Sequence, residues 1–313
     1  NQGKIMNLEA FVLGCGGMMP LPYRHLTSVL LRRDGDLFLF DCGEGTQVSL
    51  KRLNLKWKKI DAIFISHTHA DHVTGLPGIL MLNSQVDRTE PLYIYGPPKI
   101  AEYVETSRKV LDMYINYPII VKEITAPCVV HEGKDFYIRC FPLQHTKTCV
   151  GYTLEELDRP GEFNVEKARD LGVPVGPLFG RLQRGEKITL ADGKIVKPED
   201  VMGSKRHGRK FSFVTDTLYL PSIAKEVQGS DLLICEGMFA DDCFEQAKEK
   251  KHMTSRQAAT IARDSSSKRM AMIHYSPRYS DKELPVLLEQ AQKVYPNAEL
   301  TRDRMHFDLP YEE

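Results

Sequence analysis

The densest chemistry in this chain is Ser66-His67-Thr68-His69-Ala70-Asp71-His72, which packs three imidazoles and a carboxylate into six residues. Extended spacing puts His67 and His69 on one side of the chain. The turn into a following helix aims Asp71 and His72 at a neighbouring point, so one short loop can serve two cations. A surface histidine cluster or an engineered tag is the plain alternative. The segment, however, lies mid-chain behind an apolar run at 62–65 and carries an aspartate that a tag would lack.

One loop offers too few ligands, so the remainder must come from strand ends further along. His145 follows a predicted strand at 136–141, Asp216 follows one at 211–215, and His274 ends one at 270–274. Singly, each reads equally well as a loop residue or a satisfied core polar group; the shared strand-end placement favours ligands. Imidazole with carboxylate and no thiolate suits Zn²⁺, with Mn²⁺ as the alternative.

The elements that would position these groups alternate along the chain. Strands are predicted at 8–13, 27–33, 37–41, 62–66, 92–95, 119–124, 136–141 and 149–154, with an Asp34-Gly35 turn between the second and third. Helical spacing marks 44–53, 73–82 and 98–111. From about 155 to 210 the pattern gives way to Gly, Pro and charge, too punctuated for a core element, and reads as an inserted, protruding arm. Regularity returns with strands at 211–215, 232–236 and 270–274 and helices at 255–264 and 281–294. Strands mixed with helices on both sides of the insertion predict a layered α/β sandwich.

With 313 residues, 42% of them hydrophobic, the chain can bury a substantial core in one catalytic domain, taken as 6–313. Residues 1–5 precede Met6 and read as a remnant outside the fold. Seven cysteines without a CxxC pair, no basic-then-apolar leader and no long apolar run predict a reduced, cytoplasmic protein that does not contact membrane. Forty-two basic residues balance 42 acidic ones, which excludes a protein gripping nucleic acid over its whole surface. Charge is nevertheless segregated: residues 176–210 hold nine Lys and Arg, among them Arg181 and Arg184, against four acids. That local excess predicts an arm laid along a phosphate backbone.

The HTHADH block (67–72) is similar to the HxHxDH signature of the metallo-β-lactamase superfamily. Further blocks resemble the ribonuclease Z family: FLFDCGEGTQ (39–48), GLPG (75–78), the GP, FG, L and RG positions within 176–185, TDT (215–217), ICEGMF (234–239), HMTSRQAA (252–259) and HYSPRY (274–279). The resemblance implies an αβ/βα sandwich of two mixed sheets flanked by helices, carrying an arm. It also implies two Zn²⁺ per chain: one on His67, His69 and His145, the other on Asp71, His72 and His274, with Asp216 bridging and Asp41 orienting a ligand imidazole. The implied reaction is endonucleolytic hydrolysis at the 3′ end of precursor tRNA, leaving 3′-OH on the tRNA and 5′-phosphate on the trailer. In that reaction His252 would donate a proton to the departing oxygen, Glu236 would hold its ring, Asp71 would also orient the attacking water, and Arg181 and Arg184 would bind substrate. Short members of the family are homodimers, so a homodimer is expected. A phosphodiesterase of the same fold acting on another nucleic acid or a small phosphodiester is the alternative.

Overall fold

A computed structural model of the chain describes residues 7–312, so the proposed remnant at 1–5 lies outside the described residues. The chain divides into two compact units: Glu156–Arg209, and the residues before and after it.

The larger unit is built from strands β1 (Leu8–Gly14), β2 (Ser28–Arg33), β3 (Asp36–Phe40), β4 (Ala62–Phe64), β5 (Leu92–Gly96), β6 (Ile119–Glu123), β7 (Cys128–Glu132), β8 (Phe136–Gln144) and β9 (Thr148–Glu156). After the short pair β10 (Ile188–Thr189) and β11 (Ile195–Val196) of the smaller unit come β12 (Lys210–Val214), β13 (Leu232–Glu236), β14 (Met270–Ile273), β15 (Ala298–Leu300) and β16 (His306–Asp308). They form two seven-stranded sheets, ordered β16-β1-β2-β3-β4-β5-β6 and β15-β14-β13-β12-β9-β8-β7. Both are mixed. Strands β3 to β6 run parallel in the first sheet and β12 to β15 in the second, while β1, β2 and β9 pair antiparallel to their neighbours.

Strand parity explains the layering. Ala62 and Phe64 of β4, with Ala10, Val12, Phe38 and Phe40, enter a core shared with Ile138, Tyr152, Phe211 and Phe213 of the second sheet. The alternate residues Ile63 and Ile65, with Leu13 and Leu39, join Leu50, Leu76, Ile79 and Val104 of the flanking helices instead. Phe40 sits where the sheets meet, its ring 5.1 Å from Phe64, 5.3 Å from Phe211 and 6.0 Å from Tyr152.

Several elements depart from the sequence reading. The helix expected over 73–82 is two, Ala70–Val73 and Leu76–Asn83, because Gly75 caps the second and Pro77 sits in its first turn. The helix expected over 281–294 shortens to Leu284–Gln292 for the same reason, with Pro285 at its start. β7, β15 and β16 are additions to the expected strands: β7 is largely exposed, and the other two are three residues long.

Residues 155–210, which read as too punctuated by Gly and Pro for a core element and as an inserted arm, hold short elements with a small core of their own. Pro177 opens the helix Pro177–Gln183, with Gly180 inside it. That helix, Val165–Asp170, Pro198–Val201 and the β10–β11 hairpin bury Ala168, Val173, Leu182, Ile188, Val196 and Val201 against one another. Its two ends are tied by a buried ion pair, Arg209 Nε and Nη2 each 2.8 Å from a Glu156 oxygen, with Glu156 N–H donating to the Arg209 carbonyl.

Phe40→Ala should remove the ring that joins the two sheets and destabilise the larger unit by about 3–5 kcal/mol. Val48, 44% exposed, is the control, and Val48→Ala should shift stability by under about 0.5 kcal/mol. Urea denaturation of both variants decides; equal midpoints would mean that the inter-sheet aromatic cluster is not what holds the layers.

Candidate metal centre

Parallel strands end on the same side of their sheet, and ligand-bearing loops collect beyond their carboxyl ends. Asp41 follows β3, residues 66–72 follow β4, Asp216 follows β12, Glu236 ends β13 and His274 follows β14, while His145 lies in the β8–β9 turn. Asp41 (φ 56) and His274 (φ 66) both hold left-handed backbone, a strain that persists only where surrounding contacts over-determine it.

The side chains converge in two sets that share one residue. In the first, His67 Nε2 is 3.0 Å and His145 Nε2 3.2 Å from His69 Nδ1, and Asp216 Oδ2 is 3.5 Å from both Nε2 atoms. In the second, His72 Nε2 and His274 Nε2 lie 3.2 Å apart, each 3.2 Å from Asp216 Oδ1, with Asp71 Oδ2 3.2 Å from His274 Nε2. A tetrahedral ion with ligands at about 2.0–2.1 Å spaces its donors about 3.3–3.4 Å apart, so both sets have the dimensions of a cation cage. The donor chemistry agrees. Asp216 Oδ1 is buried without a hydrogen-bond partner, and facing imidazole nitrogens at such spacing are satisfied together by a cation.

The outward nitrogens fix which atoms point inward. His72 Nδ1 donates to Asp41 Oδ2 (2.6 Å), His145 Nδ1 to the Lys251 carbonyl (2.9 Å), and His67 Nδ1 to Ser66 Oγ (3.0 Å). Asp41 also accepts the Ser66 N–H and hydroxyl, each at 2.7 Å. The sequence reading missed Ser66 and Lys251. Ser66 adjoins the motif and could have been found there; the Lys251 carbonyl is backbone and gives no signal.

Around the second set the carboxylates prevail over burial. Burial disfavours a proton on His72, yet Asp216, Asp41 and Asp71 hold its pKa well above the usual imidazole range. Burial likewise opposes charge on Asp216, but His274, His72 and His67 keep it ionised. In the first set burial holds the pKa values of His67, His69 and His145 below the usual imidazole range, which keeps their lone pairs available to a cation.

Beside it, His252 Nδ1 donates to Glu236 Oε1, and Glu236 Oε2 accepts the Met253 N–H at 3.0 Å. Burial would lower the His252 pKa, but Glu236, helped by Asp216, raises it. The structure thus brings together His67, His69, Asp71, His72, His145, Asp216, Glu236, His252 and His274. Arg181 and Arg184 belong to the smaller unit, where both guanidinium groups engage Glu186, at 2.9 and 3.3 Å.

Asp216→Ala is expected to weaken cation binding in both sets at once, whereas Asp41→Ala should weaken it roughly 10- to 100-fold while leaving the ligands in place. Competition of each variant with a chromophoric chelator for Zn²⁺ measures this. An Asp216 variant that kept one tight site would show that the sets are independent.

Two family models match the chain: "Beta-lactamase superfamily domain" over residues 183–275 and "Anti-Pycsar protein Apyc1" over 8–148. Ribonuclease Z of Treponema denticola is 70% identical over 308 residues, covering 98% of this chain and 100% of that protein. Ribonuclease Z of Treponema pallidum is 66% identical, covering 98% and 99%. Among solved structures, the short form of human tRNase Z superposes with a TM-score of 0.70 at 25% identity, covering 96% of this chain and 99% of that one. With relatives this similar along nearly its whole length, the chain belongs to the ribonuclease Z family of metallo-β-lactamase-fold endoribonucleases.

Proposed function

We propose that the chain hydrolyses the phosphodiester at the 3′ end of precursor tRNA, leaving 3′-OH on the tRNA and 5′-phosphate on the trailer. The observation that carries this reading is the pairing of two donor sets sharing one carboxylate with an imidazole beside them whose Nδ1 is held by Glu236. Two Zn²⁺ per chain would be held by these donors: His67, His69 and His145 would take one and Asp71, His72 and His274 the other, with Asp216 within reach of both. When bound, such a pair acidifies water and neutralises charge on the phosphate.

The chain's own residues supply the rest. Ribose 3′-oxygen is a poor leaving group, and His252 is the proton source, because its Nδ1 is committed to Glu236 and its Nε2–H is left to donate. Glu236 is fully buried and fixes the ring while favouring its charged form. Asp71 turns Oδ2 toward His274, which leaves Oδ1 to orient the attacking water.

The unit Glu156–Arg209 is the substrate-binding arm. The basic excess of its later part, within residues 176–210, supports contact with phosphates, and Glu186 holds Arg181 and Arg184 side by side while each keeps further N–H donors for RNA. A homodimer is supported by the exposed apolar run Val110, Leu111 and Tyr114 on the larger unit, 56–78% exposed. Cytoplasmic residence is supported by seven unpaired cysteines; among the described residues no helix is long and apolar enough to cross a membrane.

His252→Ala should lower kcat on precursor tRNA roughly 10²- to 10⁴-fold with little change in KM and none in metal content. Loss of metal would make His252 a ligand, and an unchanged rate would place the proton elsewhere. Because Glu156 N–H meets the Arg209 carbonyl at 2.9 Å, a short turn can replace 157–208. That deletion should raise KM for precursor tRNA steeply and flatten the salt dependence of binding, yet spare hydrolysis of bis-p-nitrophenyl phosphate. An unchanged salt slope would put tRNA recognition outside the arm.

A further inference from the structure

The segment between β1 and β2 makes contacts at the metal centre that its side chains do not explain. Cys15 carbonyl accepts the His274 N–H (2.8 Å), and Gly17 N–H donates to the Tyr275 carbonyl (2.9 Å), so the segment lies bonded along the chain that bears His274. At Gly17 an added Cβ would stand 2.8–2.9 Å from three atoms of the His274 ring, closer than real contacts allow. The next residue, Met18, has φ 68, and Met19 N–H closes a three-residue turn on the Gly17 carbonyl at 2.8 Å. A γ-turn of positive φ is rare and strained, more so for a side chain other than glycine. Packing does not demand it, since the Met18 side chain is 68% exposed. What the turn does achieve is to aim the Met18 N–H at Asp71 Oδ2, at 2.8 Å.

We propose that the Gly17-Met18 turn is a positioning device for the cation held by Asp71, His72 and His274. The Met18 N–H selects the Asp71 conformation that presents Oδ2 to His274 and leaves Oδ1 free, while the bare Gly17 lets the backbone pass against the His274 ring and brace it. One Asp71 oxygen is thereby held for the cation and the other stays available for water. This rests on the two-cation reading above.

The test replaces residue 18 by its α-hydroxy analogue, so that an ester stands where the N–H was, and titrates Zn²⁺ against a chelator in the otherwise intact chain. The expected result is one site unchanged and the other weakened about 10- to 100-fold. Gly17→Ala should weaken the same site, and Met18→Gly, which keeps the N–H and suits φ 68, should keep both affinities. Two unaltered affinities in the ester variant, or loss in Met18→Gly, overturn the proposal. A native chain that binds fewer than two cations overturns the two-cation reading and the device with it.

Discussion

One buried carboxylate, Asp41, holds the metal centre in register. It is fully excluded from solvent and accepts three donors: the Ser66 N–H, the Ser66 hydroxyl and His72 Nδ1. A carboxylate that deep is costly unless its oxygens are all engaged, so the three bonds oblige the end of β3, the end of β4 and the start of the next helix to meet at one point. The single Ser66 hydroxyl proton goes to Asp41, which leaves its oxygen to accept from His67 Nδ1. One ligand of each donor set, His72 and His67, therefore takes its orientation from the same anion. The left-handed backbone at Asp41 is the local strain that this arrangement imposes.

Such a cluster of polar groups needs walls that do not move. The inter-sheet core supplies them: Phe40 immediately precedes Asp41, and Phe64 lies two residues before Ser66, so the aromatic packing of the sandwich fixes the strand ends from which the ligands depart. Tyr152 of the opposite sheet adds a bond from its hydroxyl to the Ile65 carbonyl at 2.7 Å, one residue before Ser66. Packing and site are in this sense one structure. The core places backbone to within what close packing allows, and a few hydrogen bonds then set the rings.

Much of this was legible in the sequence because it is carried by side chains in periodic elements. The HTHADH loop stands out by composition, and His145, Asp216 and His274 by standing behind apolar runs of strand length. The helix expected over 255–264 is observed as Ser255–Asp264, with Thr254 and Gln257 forming a capping box at its start. The rest lacks either a side-chain signature or a period. The Lys251 carbonyl and the Met18 N–H are backbone groups that any residue would offer. Strands β15 and β16 are too short to show alternation, and the apolar residues of the smaller unit are dispersed over short helices and a hairpin separated by glycine and proline, so no window collects them.

Glu236 shows why proximity alone does not make a ligand. Asp216, Glu236, His252 and His274 present atoms close enough to suggest a third cation site. The hydrogen bonds give its members other partners. Glu236 Oε1 accepts from His252 Nδ1 and faces His274 Nδ1 at 3.3 Å, and Oε2 accepts the N–H groups of Met253 and Thr217. Both oxygens are thus spent on donors, and the His252 nitrogen facing them carries the shared proton. Asp41 and Glu236 play opposite parts with the same chemistry. Asp41 binds the Nδ1 of an imidazole whose Nε2 faces His274 and Asp216 inside a closed donor set. Glu236 binds the Nδ1 of an imidazole outside both sets, where its field keeps a proton on the ring instead of sending a lone pair to a cation. A carboxylate behind an imidazole therefore makes a better ligand in one place and a better acid a few ångströms away, and the difference is set by what lies in front of the ring.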